Sequence, residues 1–206
     1  MRRWPRELVL ASSNRGKLEE LRAILGVRLD RLGVRLRSLA DFPATTLPPE
    51  GDAYAPNAVA KALAAARATG RLAVGDDSGL EVETLGFAPG PLSARFGGPG
   101  LDDGQRCARL LEALAGVAAA RRGARFVCVA ALATPDGDAV TARGECAGRI
   151  LEAPRGQGGF GYDPVFQPEG FARSMAELAA DEKNRISHRA RAFGALAETI
   201  EARLCE

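Results

Sequence analysis

Short apolar runs alternate with longer stretches of helical periodicity along this chain. Four runs are typical of strands and cover residues 7–11, 34–39, 125–134 and 139–150, and a fifth strand is predicted to begin at residue 72. Periodicity and composition predict helices after Asn14, over residues 58–69, from Asp102 or Asp103, over residues 174–180 and after Ser187. Strands that alternate with helices, together with a hairpin turned by residues 135–137, predict an α/β fold with a mixed sheet.

The apolar run at residues 72–82 is interrupted by two adjacent carboxylates, Asp76 and Asp77, which are flanked by Gly75 and Gly79. We expect the buried strand to end at these acids. Carboxylates at a strand end, beside glycines that allow close approach of a ligand, suit a hard cation such as Mg²⁺. A plain turn is the alternative interpretation, because Asp and Gly are ordinary turn residues.

A polar segment, residues 12–17, leads from the first strand into the first helix, with Ser13 or Asn14 as the N-cap. A helix start presents backbone N–H groups and the positive end of the dipole, and Lys17 adds a full charge. The segment lacks the earlier glycine of a Walker loop. It therefore predicts a phosphate site, although many helices begin this way without a ligand.

Two further polar segments carry candidate chemistry. Residues 156–161 fit the pattern Gly-x-Gly-x-x-Gly, but Pro164 follows where a dinucleotide fold needs a helix, so we reject that match. Phe160 on this loop either stacks on a base or fills the core. Residues 181–189 form a charged cluster that contains His188, and it is either a solvated face or a site for an anion.

Composition limits the class of protein. The chain has 206 residues, 46% hydrophobic and 26% charged, with a net charge of +2 that is too small to indicate DNA or a membrane as partner. Four cysteines without a Cys-x-x-Cys pair, and one histidine, argue against zinc, so any metal would use oxygen ligands. We expect four buried free thiols. The basic start, residues 1–6, precedes an apolar run too short for a signal peptide, which predicts a cytoplasmic protein.

Five motifs occur in a fixed order along nearly the whole chain: residues 12–17, 76–80, 89–95, 158–163 and 186–189. Together they resemble the inosine triphosphate pyrophosphatase (Ham1/RdgB-like) family. The resemblance implies a single domain over residues 1–206, with a long mixed β-sheet flanked by helices in two lobes and a nucleotide cleft between them. It also implies a homodimer that uses Mg²⁺ to hydrolyse ITP, dITP and XTP to the monophosphate and pyrophosphate.

The resemblance also implies a set of site residues. Asp77 would be the catalytic carboxylate and a metal ligand, with Asp76 beside it. The substrate contacts would be Ser12, Ser13, Asn14, Arg15, Gly16 and Lys17 on the phosphates, then Ser78, then Phe160, Gly161, Tyr162 and Asp163 on base and sugar, and finally Lys183, His188 and Arg189. A donor-only side chain such as Arg189 suits the 6-carbonyl of hypoxanthine and xanthine but not the 6-amino group of adenine.

One segment departs from the family pattern. Pro56 stands where many members carry a carboxylate, and Glu50 lies one place from where we align another. We take Glu50 as the candidate second metal ligand. Two alternatives remain: a Maf-like pyrophosphatase that acts on pyrimidine or modified nucleotides, against which the cluster 187–189 argues, and a nucleotide-binding regulator without catalysis, for which only this altered segment argues.

Overall fold

The computed structural model describes residues 4–206. Residues 1–3 lie outside the described residues, and they include the first part of the predicted domain and of its basic start. Five α-helices occur in the described range: α1 (Arg15–Arg31), α2 (Tyr54–Thr69), α3 (Asp103–Ala113), α4 (Ala180–Ile186) and α5 (His188–Cys205). The strands there are β1 (Glu7–Leu10), β2 (Arg35–Ser38), β3 (Leu72–Val82), β4 (Pro89–Gly90), β5 (Gly123–Ala133), β6 (Ala139–Ile150) and β7 (Phe166–Pro168). Over residues 4–206, no helix is both long and apolar enough to cross a membrane.

The described strands form one mixed sheet in the order β2-β1-β3-β5-β6-β7, with β4 beside β3. β1 pairs in parallel with β2 and β3, whereas β4 and β7 run antiparallel to their partners β3 and β6. The connection between β5 and β6 closes with Thr134 N donating to Asp138 O at 2.9 Å, and Gly137 takes a φ of +107° there. The mixed α/β fold and the hairpin are confirmed.

The chain divides into two compact units. The first contains the chain up to Asp77, Cys128–Gly144 and Arg189–Glu206. Its core packs apolar side chains of β1, β3 and β5 against the inward faces of α1 and α5, including Leu8, Leu21, Leu25, Phe193 and Ile200. Each such side chain contributes roughly 1.5–3 kcal/mol when it is fully buried. This unit holds the start of α1, all of α2 and both aspartates of interest.

The second unit contains Ser78–Val127 and Glu145–His188. Its core is formed by α3, by parts of β3, β5 and β6, and by β7, with Leu110, Leu114, Phe166 and Val165 almost fully buried. α3 begins at a capping box, in which Asp102 accepts from Gln105 N at 2.8 Å and Gln105 Oε1 accepts from Asp102 N at 2.9 Å. Of the two predicted helix starts, Asp102 or Asp103, the structure has Asp102 as the N-cap. The single domain over residues 1–206, and a nucleotide cleft, stay predictions.

The expectation that a strand ends at Asp76 and Asp77 is wrong, because both residues lie inside the continuous strand β3. The strand continues because Gly75 allows α2 to approach closely: a Cβ at Gly75 would stand 2.8 Å from Ala58 O. Helix α2 also begins earlier than predicted, at Tyr54. Pro56 is accommodated because the first turn of a helix does not need its N–H.

The expected helix over residues 174–180 is also wrong. Ser174 and Glu177 close a capping box around one 3₁₀ turn, Met175–Glu177, and Leu178 is extended. The α-helix α4 starts only at Ala180, and it contains the charged cluster as far as Ile186. The prolines and glycines of residues 87–100 predict a loop and not a packed element, but this segment contributes β4, where Pro89–Gly90 pairs with Leu80 and Glu81.

The cysteines follow the expectation in three of four cases. Cys107, Cys128 and Cys146 are buried free thiols, but Cys205 is exposed. Cys205 is the last residue of α5 and follows Leu204, which is still buried in the core. The expectation of four buried thiols is therefore wrong at this position.

Candidate active site

The segment between β1 and α1 forms a capped helix start. The Asn14 side chain accepts from Lys17 N at 3.1 Å, and Ser12 Oγ accepts from Asn14 N at 3.2 Å. Asn14 is thus the N-cap that the sequence left open between two residues. Ser13, Asn14 and Arg15 are exposed, and Ser12, Gly16 and Lys17 are partly exposed. This segment leaves the start of α1 accessible to an anion.

Asp76 is held by two cations from helices α1 and α5. Lys17 Nζ lies 3.0 Å from Asp76 Oδ2, and Arg189 Nη2 donates to the same oxygen at 3.0 Å. Arg189 Nη1 also pairs with Glu20 of α1. Asp76 and Arg189 are each only 2% exposed, so these charges interact with little screening by water. Four side chains form an ionic chain, Glu20, Arg189, Asp76 and Lys17, of which the first three are buried and Lys17 is partly exposed.

Asp77 has a separate set of partners on helix α2, because successive side chains of a strand point to opposite faces. Asn57 Nδ2 donates to Asp77 Oδ2 at 2.9 Å, and Lys61 Nζ donates to Asp77 Oδ1 at 3.0 Å. The same Lys61 nitrogen donates to Glu50 Oε1 at 2.7 Å. The proline-rich loop therefore brings Glu50 to the ammonium group that Asp77 also contacts.

The two adjacent aspartates differ in acidity. Burial by itself would raise the pKa of the Asp76 carboxyl, but the charges of Lys17 and Arg189 hold that pKa well below its usual range. Burial raises the pKa of Asp77, and Glu50 raises it further, against the opposing effects of Lys61 and Asn57. A raised pKa makes Asp77 the stronger proton acceptor of the two.

The residues around Asp77 fit a divalent cation only in combination with other ligands. Within residues 4–206, no group of three or more His, Cys, Asp or Glu side chains could hold a metal ion. Asp77 and Glu50, however, are two carboxylates that share one cationic group, the ammonium of Lys61. Mg²⁺ is commonly held by one or two carboxylates and completes its shell with water and phosphate oxygens. This pair matches that requirement.

A second group of predicted residues lies in the other unit. Phe160 is partly exposed and lies outside the buried core cluster, so its ring is not core filler. Lys183 Nζ lies 4.8 Å from the centroid of that ring and also pairs with the buried Asp163. Asp163 Oδ2 accepts from Phe160 N at 2.9 Å. A Cβ at Gly159 would meet Asp163 Oδ2 at 2.0 Å, so only glycine allows this contact.

The remaining predicted residues have internal partners. The buried Tyr162 donates its hydroxyl to Ser93 O at 2.9 Å, and Gly161 N donates to Asp103 Oδ2 at 2.7 Å. His188 is 5% exposed and stacks on Phe126, with ring centroids 4.8 Å apart. Ser78 is partly exposed on β3 directly after Asp77. Their substrate contacts stay predictions.

Three residues of the ionic groups were missed in the sequence analysis: Asn57, Lys61 and Glu20. Asn57 and Lys61 stand four residues apart on an alanine-rich helix, and that spacing puts both side chains on one face. This polar pair on an otherwise small and apolar helix was a readable signal. Glu20 offered none, because its partner Arg189 is 169 residues away in sequence.

Comparisons with known proteins agree with this architecture. The sequence model described as the Ham1 family matches residues 8–199. A dITP/XTP pyrophosphatase of Desulforamulus reducens is 47% identical over 91% of this chain and 92% of its own length. One from Geobacillus kaustophilus is 46% identical over 95% of each chain. The structure of a HAM1 protein from Coxiella burnetii has a TM-score of 0.83 and 37% identity, covering 95% of this chain and 98% of that one.

Proposed function

The chain belongs to the Ham1 family, and from that premise we propose that it hydrolyses the non-standard purine nucleoside triphosphates ITP, dITP and XTP to the monophosphate and pyrophosphate. The observation that carries the proposal is the difference in acidity between two adjacent carboxylates. Asp76 is neutralised by Lys17 and Arg189, and Asp77 keeps a raised pKa beside Lys61. Such a division of acidity between neighbours is typical of sites of acid–base chemistry.

The start of α1 binds the phosphates in this proposal. Backbone N–H groups of the first turn point away from the helix, and the positive end of the dipole lies there. Lys17 adds an ammonium group that Asp76 holds in place. Cleavage between the α- and β-phosphates increases the negative charge on the leaving pyrophosphate, and these donors stabilise it.

Asp77 orients and deprotonates the attacking water. Its two carboxylate oxygens are fixed by Asn57 and Lys61, so the group does not have to reorganise during the reaction. Asp77 and Glu50 would hold Mg²⁺ together with substrate oxygens. When bound, the metal ion supplies positive charge to the phosphates and lowers the pKa of water. Lys61 maintains the position of both carboxylates in the free protein.

The base is held by the loop that carries Phe160. The partly exposed ring offers a stacking face, and stacking of this kind contributes roughly 1–3 kcal/mol per base. Lys183, fixed by Asp163, is a donor-only group beside that ring. In this structure Arg189 donates to Asp76 and Glu20, so direct reading of the 6-carbonyl by Arg189 stays a prediction. Magnesium as the metal, the homodimer and the cytoplasm as location also stay predictions.

The test of the function is pyrophosphate release with Mg²⁺ from ITP, XTP and dITP, beside ATP, GTP, CTP and UTP. We expect fast release from the first three and little from the other four. Release mainly from CTP and UTP would support the Maf-like alternative. No release from any of the seven, with tight ITP binding in calorimetry, would support the regulator.

Phe160→Ala is expected to raise KM for ITP by about tenfold, the factor that corresponds to loss of one stacking contact. We expect kcat to change much less, because Phe160 does not contact the phosphates in the proposal. Phe87→Ala is the control: Phe87 is an exposed aromatic residue that, like Phe160, lies beside a cation, with the Arg125 guanidinium 5.4 Å from its ring centroid. Steady-state kinetics of both variants decide the matter. An unchanged KM in Phe160→Ala would remove the ring from the base site.

A further inference from the structure

The end of the glycine-rich loop is attached to helix α3 at Gly161. Gly161 N donates to Asp103 Oδ2 at 2.7 Å, and Cys107 Sγ donates to Gly161 O at 3.4 Å. Asp103 and Cys107 are four residues apart, on one face of α3. Both backbone groups of the residue after Phe160 are therefore held by the same helix.

The loop has little packing to fix it on this side. A cavity of about 320 Å³ lies along residues 156–161, and its wall includes Cys107 and Asp103. Atoms that border a cavity lack van der Waals partners on that side. Hydrogen bonds therefore contribute to the position of the loop on this side, and one of them joins Asp163 N to Phe160 O at 3.3 Å.

Each of these hydrogen bonds fixes a different part of the loop. Gly158 N donates to Ala176 O at 3.1 Å and fixes the beginning. Phe160 N donates to Asp163 Oδ2, and Gly161 donates to Asp103. The bond to Asp103 is the stronger of the two contacts that α3 makes, because its acceptor is ionised, whereas a thiol is a weak donor.

We propose that Asp103 is a positioning residue for the base: it fixes the Gly161 backbone so that the Phe160 ring is held ready for stacking. The inference rests on the proposed function, because it requires Phe160 to contact the base. Asp103 acts through Gly161 and touches no substrate itself. Its side chain is 52% exposed, so substitution should leave the core of the unit intact.

The first test compares three variants of the full chain in ITP hydrolysis. Asp103→Ala removes the bond to Gly161 N and also the pair with Arg106 on α3 itself, and it should raise KM by roughly five- to tenfold with kcat within about threefold. Asp103→Asn keeps an acceptor oxygen and should restore KM to within about twofold. The neighbouring control Asp102→Ala removes the helix cap, and should lower the melting temperature by about 2–4 °C while leaving KM unchanged.

The second test is a double-mutant cycle between Asp103→Ala and Phe160→Ala. If Asp103 acts through the ring, KM of the double variant equals that of Phe160→Ala alone. The inference is overturned if KM of the double variant rises by the product of the two single effects, or if KM of Asp103→Ala is unchanged. Either result can occur in a protein whose wild type hydrolyses ITP, so it leaves the proposed function standing. Absence of ITP hydrolysis in wild-type protein would instead overturn the proposed function itself.

Discussion

Asp77→Asn is expected to lower kcat for ITP hydrolysis by about 10²–10⁴-fold, the range for loss of a general base. Asparagine has nearly the same shape but cannot accept a proton at neutral pH and is a poorer ligand for Mg²⁺. The measurement is pyrophosphate release under saturating ITP and Mg²⁺. A kcat close to that of wild-type protein would contradict the assignment of Asp77 as the base.

The same substitution should cost only moderate stability. Both Asp77 oxygens accept hydrogen bonds from donors, Asn57 and Lys61, and an asparagine can satisfy only one of them. Lys61 retains Glu50, so we expect a loss of about 1–3 kcal/mol in urea unfolding. Glu81→Gln is the matched control, because Glu81 is another buried carboxylate on β3, paired with Arg125 at 2.7 Å. That variant should lose stability but keep kcat.

Local sequence signals predicted the parts of the fold that depend on neighbours in the chain. The cap at Asn14 or Ser13, the hairpin around Gly137 and the helix start at Asp102 or Asp103 follow from residues within one turn of each other. The error over residues 174–180 has the same origin. A capping box such as Ser174 and Glu177 signals a helical turn, and it does not determine how many turns follow.

The site could be predicted as a set of residues but not as a set of contacts. The sequence identified Asp76, Asp77 and Lys17, yet placed both acids together at a strand end. In the structure the strand continues, and its alternation gives the two carboxylates different partners. These partners come from distant segments, with Arg189 113 residues from Asp76. Local periodicity carries no information about such pairs, so the difference in acidity could not be predicted.

Asp76→Asn is expected to lower the free energy of unfolding by about 3–5 kcal/mol, as when one partner of a buried ion pair is removed. Lys17 and Arg189 would both lose a carboxylate partner, and Arg189 would retain its pair with Glu20. For a chain of this length that loss corresponds to a decrease of roughly 10 °C in melting temperature. Glu112→Gln is the control, because Glu112 forms an exposed pair with Arg109 and should contribute less than about 1 kcal/mol.

The stabilising effect of Asp76 should also depend on pH in a defined direction. Lys17 and Arg189 lower the pKa of this carboxyl in the folded protein, so its contribution is complete above the unfolded-state pKa of about 3.9. It is lost as the pH falls below that value toward the folded-state pKa. Urea unfolding of wild-type protein and Asp76→Asn should therefore differ by a constant amount from about pH 5 to 8 and converge in acid.

A difference that widens in acid would mean that Asp76 is not the ionised partner of these cations. Comparing Asp76→Asn with Asp77→Asn in stability and in kcat tests whether the two carboxylates have separate roles. If Asp76 organises the cations and Asp77 performs the proton transfer, one variant should lose mainly stability and the other mainly kcat. Equal losses of both in the two variants would mean that the neighbouring carboxylates act as one group, despite the separate partners that β3 gives them.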